Sequence, residues 1–427
     1  MGSGYVGTTT ALVLAEFGWN VTGLDTDDRK VESLRQGTLP FYEDGLEVLL
    51  QKHLQSGNIR FTVDKENALK SHDVIFICVG TPARQDGSAD LRNIKQVAKD
   101  IGRHMNRYQL IVNKSTVPVG TQERISEWIR AAQPSPYPFD VVSNPEFLRE
   151  GRALTDALHP DRMIIGADND HAAKLLQALY YSFDCPILIT TPRTAELIKY
   201  ASNAFLATKI SFINEIAELC DKLDVNVNEV ARGIGLDPRI GLPFLQAGIG
   251  YGGSCFPKDI SALLRTAYEQ DVGLTLVEQV ASVNRSKHLH LLDKVRDRLG
   301  SFENKKVAVL GLAFKPDTDD IREAPAIRII RRLLDERACV SVHDPAAKLP
   351  PDLTHSAAAA VQWETPQQAL LDADAAILCT EWKNYRLIDW DRIKLGMNQP
   401  NIFDGRNMLD ARKMTSMGFY YQGIGYR

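Results

Sequence analysis

A short glycine-rich segment, residues 250–259, contains the residue types best suited to covalent chemistry. Its sequence is Gly-Tyr-Gly-Gly-Ser-Cys-Phe-Pro-Lys-Asp, which places Cys255 among glycines and close to Lys258 and Asp259. A cysteine becomes nucleophilic as its thiolate, which needs nearby positive charge to lower the pKa from about 8.5. Lys258 supplies such a charge and the glycines leave space, so the segment predicts a reactive thiol. A purely structural cysteine is the alternative, and the rest of the chain must decide between the two.

The length and composition restrict what that thiol acts on. At about 150 residues per domain, 427 residues predict two or three domains. Hydrophobic residues make up 44% and charged residues 24%, as in typical globular proteins, and the net charge of -4 gives no electrostatic footprint for nucleic acid or an anionic membrane. We therefore expect small-molecule partners, with no nucleic acid and no membrane.

The six cysteines are scattered without CxxC or CxxH spacing, which argues against a zinc site and against a disulfide framework. No apolar run approaches the roughly 20 residues that cross a bilayer, and no charged leader precedes an apolar stretch. We therefore expect no metal and a cytoplasmic location.

The start of the chain carries a dinucleotide-binding fingerprint, GxGxxG. An apolar helical segment, residues 8–17, follows it, and a strand-like run, residues 21–24, ends at Asp25. The glycines permit a tight turn, the approach of a pyrophosphate and close helix packing, with the phosphates at the helix N-terminus. An acid at this distance binds ribose hydroxyls and repels a 2'-phosphate, so the pattern predicts NAD rather than NADP. The motif consists of Gly2, Ser3, Gly4, Tyr5, Val6 and Gly7.

One element of this fingerprint is absent from the sequence. The motif should follow a buried strand of about five or six residues, whereas Met1 directly precedes Gly2. The sequence thus predicts a Rossmann domain without its first strand, from a truncated chain or a wrongly assigned start. Because the glycine turn would then lose its anchor, a non-catalytic nucleotide-binding form is one alternative function.

Polar loops follow three more strand-like runs, residues 74–79, 110–113 and 141–143. Ligands of open parallel sheets bind at the carboxyl ends of the strands, so we expect these loops to face the cofactor. The alternative is that their prolines simply end the strands. The loops contain Thr81 and Pro82, Ser115 to Pro118, and Asn144 to Glu146.

A long helical pattern runs from Thr194, a plausible cap, to about Leu223 without internal glycine or proline. Lys199 and Asn203 stand four residues apart and share a face of this helix. About 30 residues span about 45 Å at 1.5 Å per residue, more than one small domain needs. We therefore expect the helix to connect domains or to pack against a second subunit.

A second doubly wound pattern begins after Lys305, with strand-like runs at 306–310, 340–342, 375–379 and 401–403. Its glycine motif is reduced to Gly311, and Lys315 stands near any phosphate, which predicts a nucleotide site other than a second NAD site. The loops at residues 380–382 and 404–407 should again lie at the ligand edge. The fold predicted for the whole chain is α/β, with two doubly wound Rossmann-like domains joined by a long central helix.

Eight segments occur in order along the chain: GSGYVG, VGTP, KSTVPVGT, NPEFLREG, ELIKYASNAF, GYGGSCFPKD, GLAFKPDTDDIRE and DGRN. This ordered set resembles the UDP-glucose/GDP-mannose dehydrogenase family over nearly the whole chain. The resemblance implies three domains: an NAD-binding Rossmann domain at residues 1–192, a central helical and dimerisation domain with the cysteine loop at 193–298, and a UDP-sugar-binding domain at 299–427.

The resemblance also implies the reaction. Residues 199–205 and 235–241 are most similar to the enzymes of the family that oxidise C6 of UDP-glucose to give UDP-glucuronate. The alternatives are another nucleotide sugar, such as a UDP-N-acetylhexosamine or GDP-mannose, and a two-electron oxidation like that of hydroxyacid dehydrogenases. Conversion of an alcohol to a carboxylate removes four electrons, so two NAD must be used in turn. Cys255 matches the family's nucleophile, which holds the half-oxidised sugar as a thiohemiacetal and then as a thioester.

Five more residues match catalytic positions of the family. Lys199 and Asn203 would stabilise negative charge on O6, and Thr116 would hold a water near C6. Asp259 matches an acid that orients or activates water, and Glu146 matches the carboxylate assigned to thioester hydrolysis. Which of these acids is the base stays open.

Two sets of binding residues are implied in the same way. Arg239 matches an arginine that reaches the neighbouring subunit's substrate, so with the long helix we expect a homodimer or a dimer-based oligomer. The cofactor set is Gly2, Gly4, Tyr5, Val6, Gly7, Asp25, Lys30, Thr81, Thr116, Glu150, Lys258 and Arg322. The substrate set is Glu146, Phe147, Leu148, Lys199, Asn203, Arg239, Tyr251, Gly252, Gly253, Phe314, Lys315 and Arg406.

Overall fold

A computed structural model describes residues 1–354 and 359–426, which form two compact units. The first unit consists of Met1–Ser202 and Ser261–Val272, and the second of Asn203–Ile260 and Gly273–Arg427. None of the helices in the described part of the chain is long and apolar enough to cross a membrane.

The elements up to residue 190 all belong to the first unit. They are α1 (Tyr5–Glu16), β1 (Val21–Leu24), α2 (Asp28–Arg35), α3 (Leu46–Ser56), β2 (Ile59–Thr62), α4 (Lys65–Ser71), β3 (Val74–Ile77), α5 (Arg92–His104), β4 (Gln109–Asn113), α6 (Thr121–Ala132), β5 (Phe139–Ser143), α7 (Ala153–Leu158), β6 (Met163–Gly166), α8 (Asp170–Leu179) and β7 (Ile187–Thr190).

The chain continues with elements that belong mostly to the second unit, although α9 and α11 contribute residues to both. They are α9 (Pro192–Leu223), α10 (Val227–Gly235), α11 (Phe256–Tyr268), α12 (Thr275–Leu299), β8 (Lys306–Leu310), α13 (Pro325–Asp335), β9 (Cys339–His343), α14 (Pro351–Thr354), β10 (Val361–Gln362), α15 (Pro366–Leu370), β11 (Ala375–Leu378), α16 (Lys383–Arg386), α17 (Trp390–Gly396), β12 (Asn401–Asp404), α18 (Ala411–Ser416) and β13 (Tyr420–Gly423).

The sheet of the second unit has six parallel strands in the order β10-β9-β8-β11-β12-β13. Numbered along the chain, this is the order 3-2-1-4-5-6 of a doubly wound Rossmann sheet. Its strands are buried and apolar, as in β8 and β11, because helices cover both faces of such a sheet. The predicted second Rossmann-like domain is therefore confirmed.

The first unit contains two separate sheets. One pairs β1 with β2, and the other has the order β3-β4-β5-β6-β7, parallel except where β5 meets β6. Among the described residues, no strand lies between β1 and β3. The run predicted at residues 21–24 is a strand with those bounds. The Rossmann-like pattern predicted for this unit is present, but its strands form two sheets, which separate between β1 and β3.

Helix α9 begins earlier than the sequence predicts. Thr194 lies inside the helix, and the side-chain oxygen of Thr191 accepts the N–H of Thr194 at 3.3 Å. Pro192 suits the first turn of a helix because its missing N–H would have no partner there. The cap prediction for Thr194 is therefore wrong by three residues, whereas the predicted end at Leu223 is confirmed.

Glu196, on α9, holds the start of α6 and with it the loop that contains Thr116. Its carboxylate accepts the N–H groups of Gly120 at 2.6 Å and Gln122 at 2.9 Å. Burial nevertheless raises the pKa of Glu196 to about 7, because desolvation of the charge outweighs these hydrogen bonds.

The change in unfolding temperature that Glu196→Gln causes, relative to the parent, is expected to be more favourable at pH 8 than at pH 5 by several degrees. The pKa of Glu196 in the folded protein lies above its ordinary value of 4.5, so ionisation destabilises the folded state as the pH rises between those values. Glutamine never ionises, but it keeps only one acceptor oxygen, so one of the two N–H groups loses its partner at both pH values. Calorimetry at both pH values measures the difference, and a shift that does not depend on pH would contradict this account of Glu196.

Candidate active site

The predicted thiol lies at the start of a helix in the second unit. Cys255 immediately precedes α11, and its carbonyl oxygen accepts the N–H of Asp259 at 2.9 Å in the first turn. A helix N-terminus carries partial positive charge, which favours an anionic thiolate or carboxylate beside it. The position therefore suits the nucleophile predicted from the sequence.

The glycines before Cys255 are needed for close packing. A Cβ atom added to Gly253 would lie 2.7 Å from the Phe314 ring, and one added to Gly252 would lie 2.5 Å from the carbonyl oxygen of Glu323. Gly253 also has a φ of +82°, where other residues are strained. The glycines bring this loop against Phe314, which the sequence assigns to the substrate.

Three predicted residues join in one buried cluster beside the cysteine. The carboxylate of Asp259 accepts hydrogen bonds from the Asn203 amide at 2.6 Å and from the Lys258 ammonium at 2.6 Å. The Asp259 side chain is only 2% exposed, so both partners offset the cost of burying its charge. The cluster fixes the orientation of the Asn203 amide.

Asn284, which the sequence analysis missed, holds the backbone of the same loop. Its side-chain oxygen accepts the N–H of Tyr251 at 2.8 Å, and its amide donates to the carbonyl oxygen of Tyr251 at 3.0 Å. A Cβ atom on Gly250 would lie 2.8 Å from that side-chain oxygen. Asn284 lies in the middle of α12, where its residue type gave no signal.

Arg406 connects the cysteine loop to the loops at the edge of the six-stranded sheet. Its guanidinium donates to the carbonyl oxygens of Gly250 at 2.9 Å, Cys379 at 2.8 Å and Phe314 at 3.3 Å. Such contacts keep a cation close to Phe314 and Lys315. The predicted arrangement of these loops at one sheet edge is therefore present in the second unit.

Arg322 and Arg239 are exposed, and each binds an acid two residues earlier. Arg322 forms a bidentate ion pair with Asp320, at 2.8 and 2.7 Å. Arg239 pairs with Asp237 at 2.6 Å. The role of Arg322 in binding the cofactor and that of Arg239 in reaching a neighbouring subunit stay predictions.

In the first unit, Lys199 and Glu146 form a buried ion pair. The ammonium and the carboxylate are 3.2 Å apart, and the two side chains are 4% and 9% exposed. The other oxygen of Glu146 accepts the N–H of Leu148 at 2.6 Å, and the Lys199 ammonium lies 5.3 Å from the centre of the Phe147 ring. The segment from Glu146 to Leu148 is thus held around a buried cation.

The glycine turn and Asp25 are joined as a dinucleotide site requires. The Asp25 carboxylate accepts the N–H of Ser3 at 2.8 Å and the Lys30 ammonium at 2.9 Å. Burial alone would raise the pKa of Asp25, but the hydrogen bonds from Lys30 and from the N–H groups of Asp27 and Ser3 together lower it. Asp25 is therefore an anion at neutral pH, held beside the turn.

The glycines of this turn fit the geometry of a bound pyrophosphate. A Cβ atom on Gly7 would lie 1.8 Å from the carbonyl oxygen of Gly2, so the helix can start this close to the turn only with glycine there. A Cβ atom on Gly4 would meet no heavy atom within 4 Å, which leaves the N-terminus of α1 open to a ligand. The residues present therefore fit NAD.

The loops after β3 and β4 contact each other at one sheet edge. The Thr81 hydroxyl donates to the carbonyl oxygen of Thr116 at 2.7 Å, and the Ser115 hydroxyl donates to that of Val79 at 2.7 Å. Two of the three loops expected at this edge therefore lie together, and their position beside the cofactor stays a prediction.

Glu43 is a second residue that the sequence analysis missed. Its carboxylate accepts the Tyr5 hydroxyl and the N–H of Gly151 at 2.7 Å. Tyr5 belongs to the glycine turn, and Gly151 follows Glu150 in the NPEFLREG segment. Glu43 therefore ties the predicted cofactor turn to the predicted substrate segment.

Among residues 1–354 and 359–426, no group of three or more His, Cys, Asp or Glu side chains is placed to hold a metal ion.

Comparison with known proteins places these features in a family. Residues 1–184 match the NAD binding domain of the UDP-glucose/GDP-mannose dehydrogenase family, residues 193–286 match its central domain, and residues 308–411 match its UDP binding domain. The chain belongs to this family. The NAD binding and UDP binding domains of the family match the two Rossmann-like regions of the chain. The chain is therefore an NAD-dependent oxidoreductase with a UDP-sugar substrate.

Individual members of the UDP-glucose/GDP-mannose dehydrogenase family match over the full chain. The chain is 43% identical to UDP-glucose 6-dehydrogenase TuaD of Bacillus subtilis (strain 168), covering 100% of this chain and 92% of the relative. It is 44% identical to a UDP-glucose 6-dehydrogenase of Rhizobium meliloti (strain 1021), covering 100% and 98%.

Solved structures of the family share this fold. A UDP-glucose dehydrogenase from the hyperthermophilic archaeon Pyrobaculum islandicum has a TM-score of 0.93 and 40% identity, covering 100% of this chain and 96% of that one. A UDP-D-ManNAc dehydrogenase from Pyrococcus horikoshii has a TM-score of 0.88 and 29% identity, covering 99% and 98%.

Proposed function

We propose that this protein oxidises UDP-glucose to UDP-glucuronate, consuming two NAD and one water for each sugar. The observation that carries the proposal is the position of Cys255 at the N-terminus of α11, beside the buried cluster of Asp259, Lys258 and Asn203. Identity of 43–44% to UDP-glucose 6-dehydrogenases over the whole chain, against 29% to the UDP-D-ManNAc enzyme, favours glucose over an N-acetylhexosamine.

The thiol makes the second oxidation possible. An aldehyde has no C–O⁻ group to expel a hydride, so the Cys255 thiolate adds to C6 and forms a thiohemiacetal oxyanion. Loss of hydride from C6 leaves a thioester, and water then adds to C6 and breaks the C–S bond to release the carboxylate and the thiolate. NAD, when bound, accepts one hydride in each oxidation. The balance is UDP-glucose, two NAD⁺ and water giving UDP-glucuronate, two NADH and three protons.

Four charged or amide side chains and Thr116 would assist these steps. Lys199 and Asn203 stabilise negative charge on O6, since an ammonium and an amide held in a buried site do so most effectively. Thr116 holds a water near C6. Glu146 and Asp259 are the two candidates for the base that activates water in thioester hydrolysis, and each already has a cation to balance its charge.

Two sets of binding residues belong to the proposal. For NAD we propose the glycine turn with Asp25, Lys30, Thr81, Thr116, Glu150, Lys258 and Arg322. For the sugar nucleotide we propose Glu146, Phe147, Leu148, Lys199, Asn203, Tyr251, Gly252, Gly253, Phe314, Lys315 and Arg406, with Arg239 serving a neighbouring subunit. We also propose domains at 1–192, 193–298 and 299–427.

The substrate assignment is tested with a panel of sugar nucleotides. Purified protein is incubated with NAD and UDP-glucose, UDP-N-acetylglucosamine, UDP-N-acetylmannosamine or GDP-mannose, and the products are identified by mass spectrometry. We expect kcat/KM for UDP-glucose to exceed the others by at least about a hundredfold, the scale of discrimination that a shaped pocket gives. A higher value with any other sugar nucleotide would contradict the assignment.

Asp25→Asn is expected to lower the preference for NAD over NADP by about tenfold or more. The variant removes the negative charge that a 2'-phosphate would meet, while the amide still binds ribose hydroxyls. Asp28→Asn, which neutralises an exposed acid in the first turn of α2, is the matched control. Kd values for both dinucleotides, measured by calorimetry, check this, and an unchanged ratio in Asp25→Asn would contradict the placement of the ribose.

We also propose that the protein is a homodimer, or an oligomer built from dimers, in the cytoplasm. Phe205, Phe212 and Leu219 follow one another at seven-residue intervals along α9, and their exposed fractions are 65%, 47% and 55%. Residues seven apart share a helix face, so these form one unpartnered apolar stripe that suits a second copy of the chain. The six cysteines, all free among the described residues, favour a reducing compartment.

The dimer is tested by analytical ultracentrifugation. Phe212→Glu places a charge in the middle of the stripe and is expected to shift the sedimenting species toward the monomer. Leu395→Glu, at an exposed leucine of α17, is the control. Equal masses for the two variants would contradict the proposal that this stripe is the interface.

A further inference from the structure

The backbone that leads to Cys255 is held at both ends of a short segment, residues 248–253. The N–H of Gly248 donates to the side-chain oxygen of Asn214 at 2.8 Å, and the N–H of Gly253 donates to the carbonyl oxygen of Arg322 at 2.8 Å. Both partners belong to the same unit as the segment. The position of the thiol, two residues after Gly253, therefore depends on how this segment is held.

Asn284 holds the middle of the segment with both ends of its side-chain amide. The amide oxygen accepts the N–H of Tyr251 at 2.8 Å, and the amide nitrogen donates to the carbonyl oxygen of the same residue at 3.0 Å. One side chain thus fixes both backbone groups of Tyr251. An apolar side chain does not replace it, because both of these buried backbone groups would lose their partners.

Asn284 contributes little to its own helix, α12. Asparagine is a poorer helix former than alanine or leucine, and a buried amide costs free energy unless it is hydrogen-bonded. Asn284 is nevertheless only 7% exposed and lies in the middle of α12. What this side chain stabilises is therefore the segment that contains Tyr251.

The ring of Tyr251 extends this contact to the residue beside the thiol. Its centre lies 5.6 Å from the centre of the Phe256 ring, at an interplanar angle of 85°. Edge-to-face aromatic pairs at this distance are favourable and have a defined geometry. Phe256 is the first residue of α11 and directly follows Cys255. A displacement of Tyr251 therefore displaces the start of α11 and the thiol with it.

We propose that Asn284 is a positioning residue for the covalent step of the reaction. Through Tyr251 and Phe256 it holds the Cys255 sulfur where the thiolate adds to C6 of the aldehyde before the aldehyde dissociates. A misplacement of about 1 Å can slow a bond-forming step by about a hundredfold. The inference rests on the proposed oxidation of UDP-glucose through Cys255.

Release of the aldehyde is the expected sign of a misplaced thiol. The first oxidation transfers a hydride from C6 to NAD⁺ and gives the aldehyde, NADH and a proton, with no bond to sulfur. If addition of the thiolate becomes slower than dissociation, the aldehyde leaves and the NADH formed for each UDP-glucose falls from two toward one. The ratio of the two products does not depend on how much of the protein is folded, so a loss of stability alone leaves it unchanged.

The test compares Asn284→Leu with the parent and with Gln279→Leu, which replaces an exposed amide side chain of the same helix. Each protein converts a small fraction of the UDP-glucose with excess NAD. Released aldehyde is trapped as its methyl oxime, and the oxime and UDP-glucuronate are quantified by mass spectrometry. The Kd for NAD is measured by calorimetry.

We expect Asn284→Leu to release about half of the oxidised sugar or more as aldehyde, because a hundredfold slower capture competes poorly with dissociation. The parent and Gln279→Leu should release none that is detectable, and the Kd for NAD should stay within about twofold. Asn284→Leu that releases no more aldehyde than a parent forming UDP-glucuronate would overturn this inference alone. A parent that forms no UDP-glucuronate would contradict the proposed function, and this inference with it.

Asn284→Asp provides a second readout, which depends on pH. A protonated carboxyl group accepts and donates hydrogen bonds as the amide does, whereas a carboxylate only accepts. The carboxylate would therefore turn an acceptor toward the carbonyl oxygen of Tyr251. Protonation of the new side chain should restore the contact.

The arginines near Tyr251 and the histidine one turn after Asn284 keep one charge state between pH 6 and pH 8. Arg285 and Arg328 act on the Tyr251 hydroxyl, and arginine stays protonated in proteins. Burial, with a smaller contribution from Arg328, lowers the pKa of His288 to about 4, so His288 stays neutral. A pH effect specific to Asn284→Asp is therefore assigned to the new carboxyl group.

We expect the aldehyde fraction of Asn284→Asp to be at least about threefold lower at pH 6 than at pH 8, because burial favours the protonated carboxyl group. Asn284→Leu, measured at both pH values, corrects for the other effects of pH on the reaction. Equal corrected fractions at pH 6 and pH 8 would overturn the claim that the two hydrogen bonds to Tyr251 position the thiol.

Discussion

Cys255→Ser is expected to lower the rate of UDP-glucuronate formation by about a thousandfold or more. A serine hydroxyl is a much weaker acid than a thiol, so an alkoxide is far less accessible at neutral pH than a thiolate at a helix N-terminus. The first two-electron oxidation does not use the sulfur. It should therefore continue in the variant, with the aldehyde released as product, at a lower rate than in the parent. The measurement is UDP-glucuronate by mass spectrometry alongside NADH absorbance.

The control for this prediction is Cys339→Ser, which changes an exposed cysteine at the start of β9 in the same unit. It should retain the parent rate within about twofold, as exposed substitutions usually do. If Cys255→Ser also makes UDP-glucuronate at the parent rate, no thioester forms on that sulfur and the proposed chemistry is wrong.

Lys199→Met is expected to lower kcat by about a hundredfold to a thousandfold. The ammonium is 3.2 Å from Glu146 and buried, so it is a preorganised cation where negative charge on O6 would develop. Methionine keeps the length and the apolar part of the side chain but loses the charge. Initial rates at saturating UDP-glucose and NAD give kcat directly.

Removal of Lys199 also leaves the buried Glu146 carboxylate without its cation, which destabilises the fold. The unfolding temperature and the Kd for NAD must therefore be measured in the variant, and kcat compared at a temperature where the variant is folded. Lys222→Met, at the exposed end of the same helix, is the matched control. A folded, NAD-binding Lys199→Met with unchanged kcat would remove Lys199 from the catalytic set.

The sequence predicted those parts of the fold that depend on local patterns. Strand β1 has the predicted bounds, and β8 and β9 lie within one residue of the predicted runs. Hydrophobic runs, glycines and helix periodicity are properties of neighbouring residues, and they are sufficient to place such elements.

Contacts between distant residues could not be predicted from these patterns. Glu43 binds Gly151, 108 residues along the chain, and Asn284 binds Tyr251 across 33 residues. Neither residue belongs to a motif, and only the folded backbone brings them to the loops they hold. The packing of Gly253 on Phe314 is of the same kind, since the sequence suggested only that this glycine leaves space.

The ratio of NADH formed to UDP-glucose consumed tests the central claim most directly. The purified protein converts limiting UDP-glucose to completion with excess NAD. The amount of NADH is then measured by absorbance, and the sugar nucleotide product is identified and quantified by mass spectrometry. The account predicts two NADH for each UDP-glucuronate and a product without detectable aldehyde. One NADH for each sugar, with the aldehyde as the final product, would contradict it.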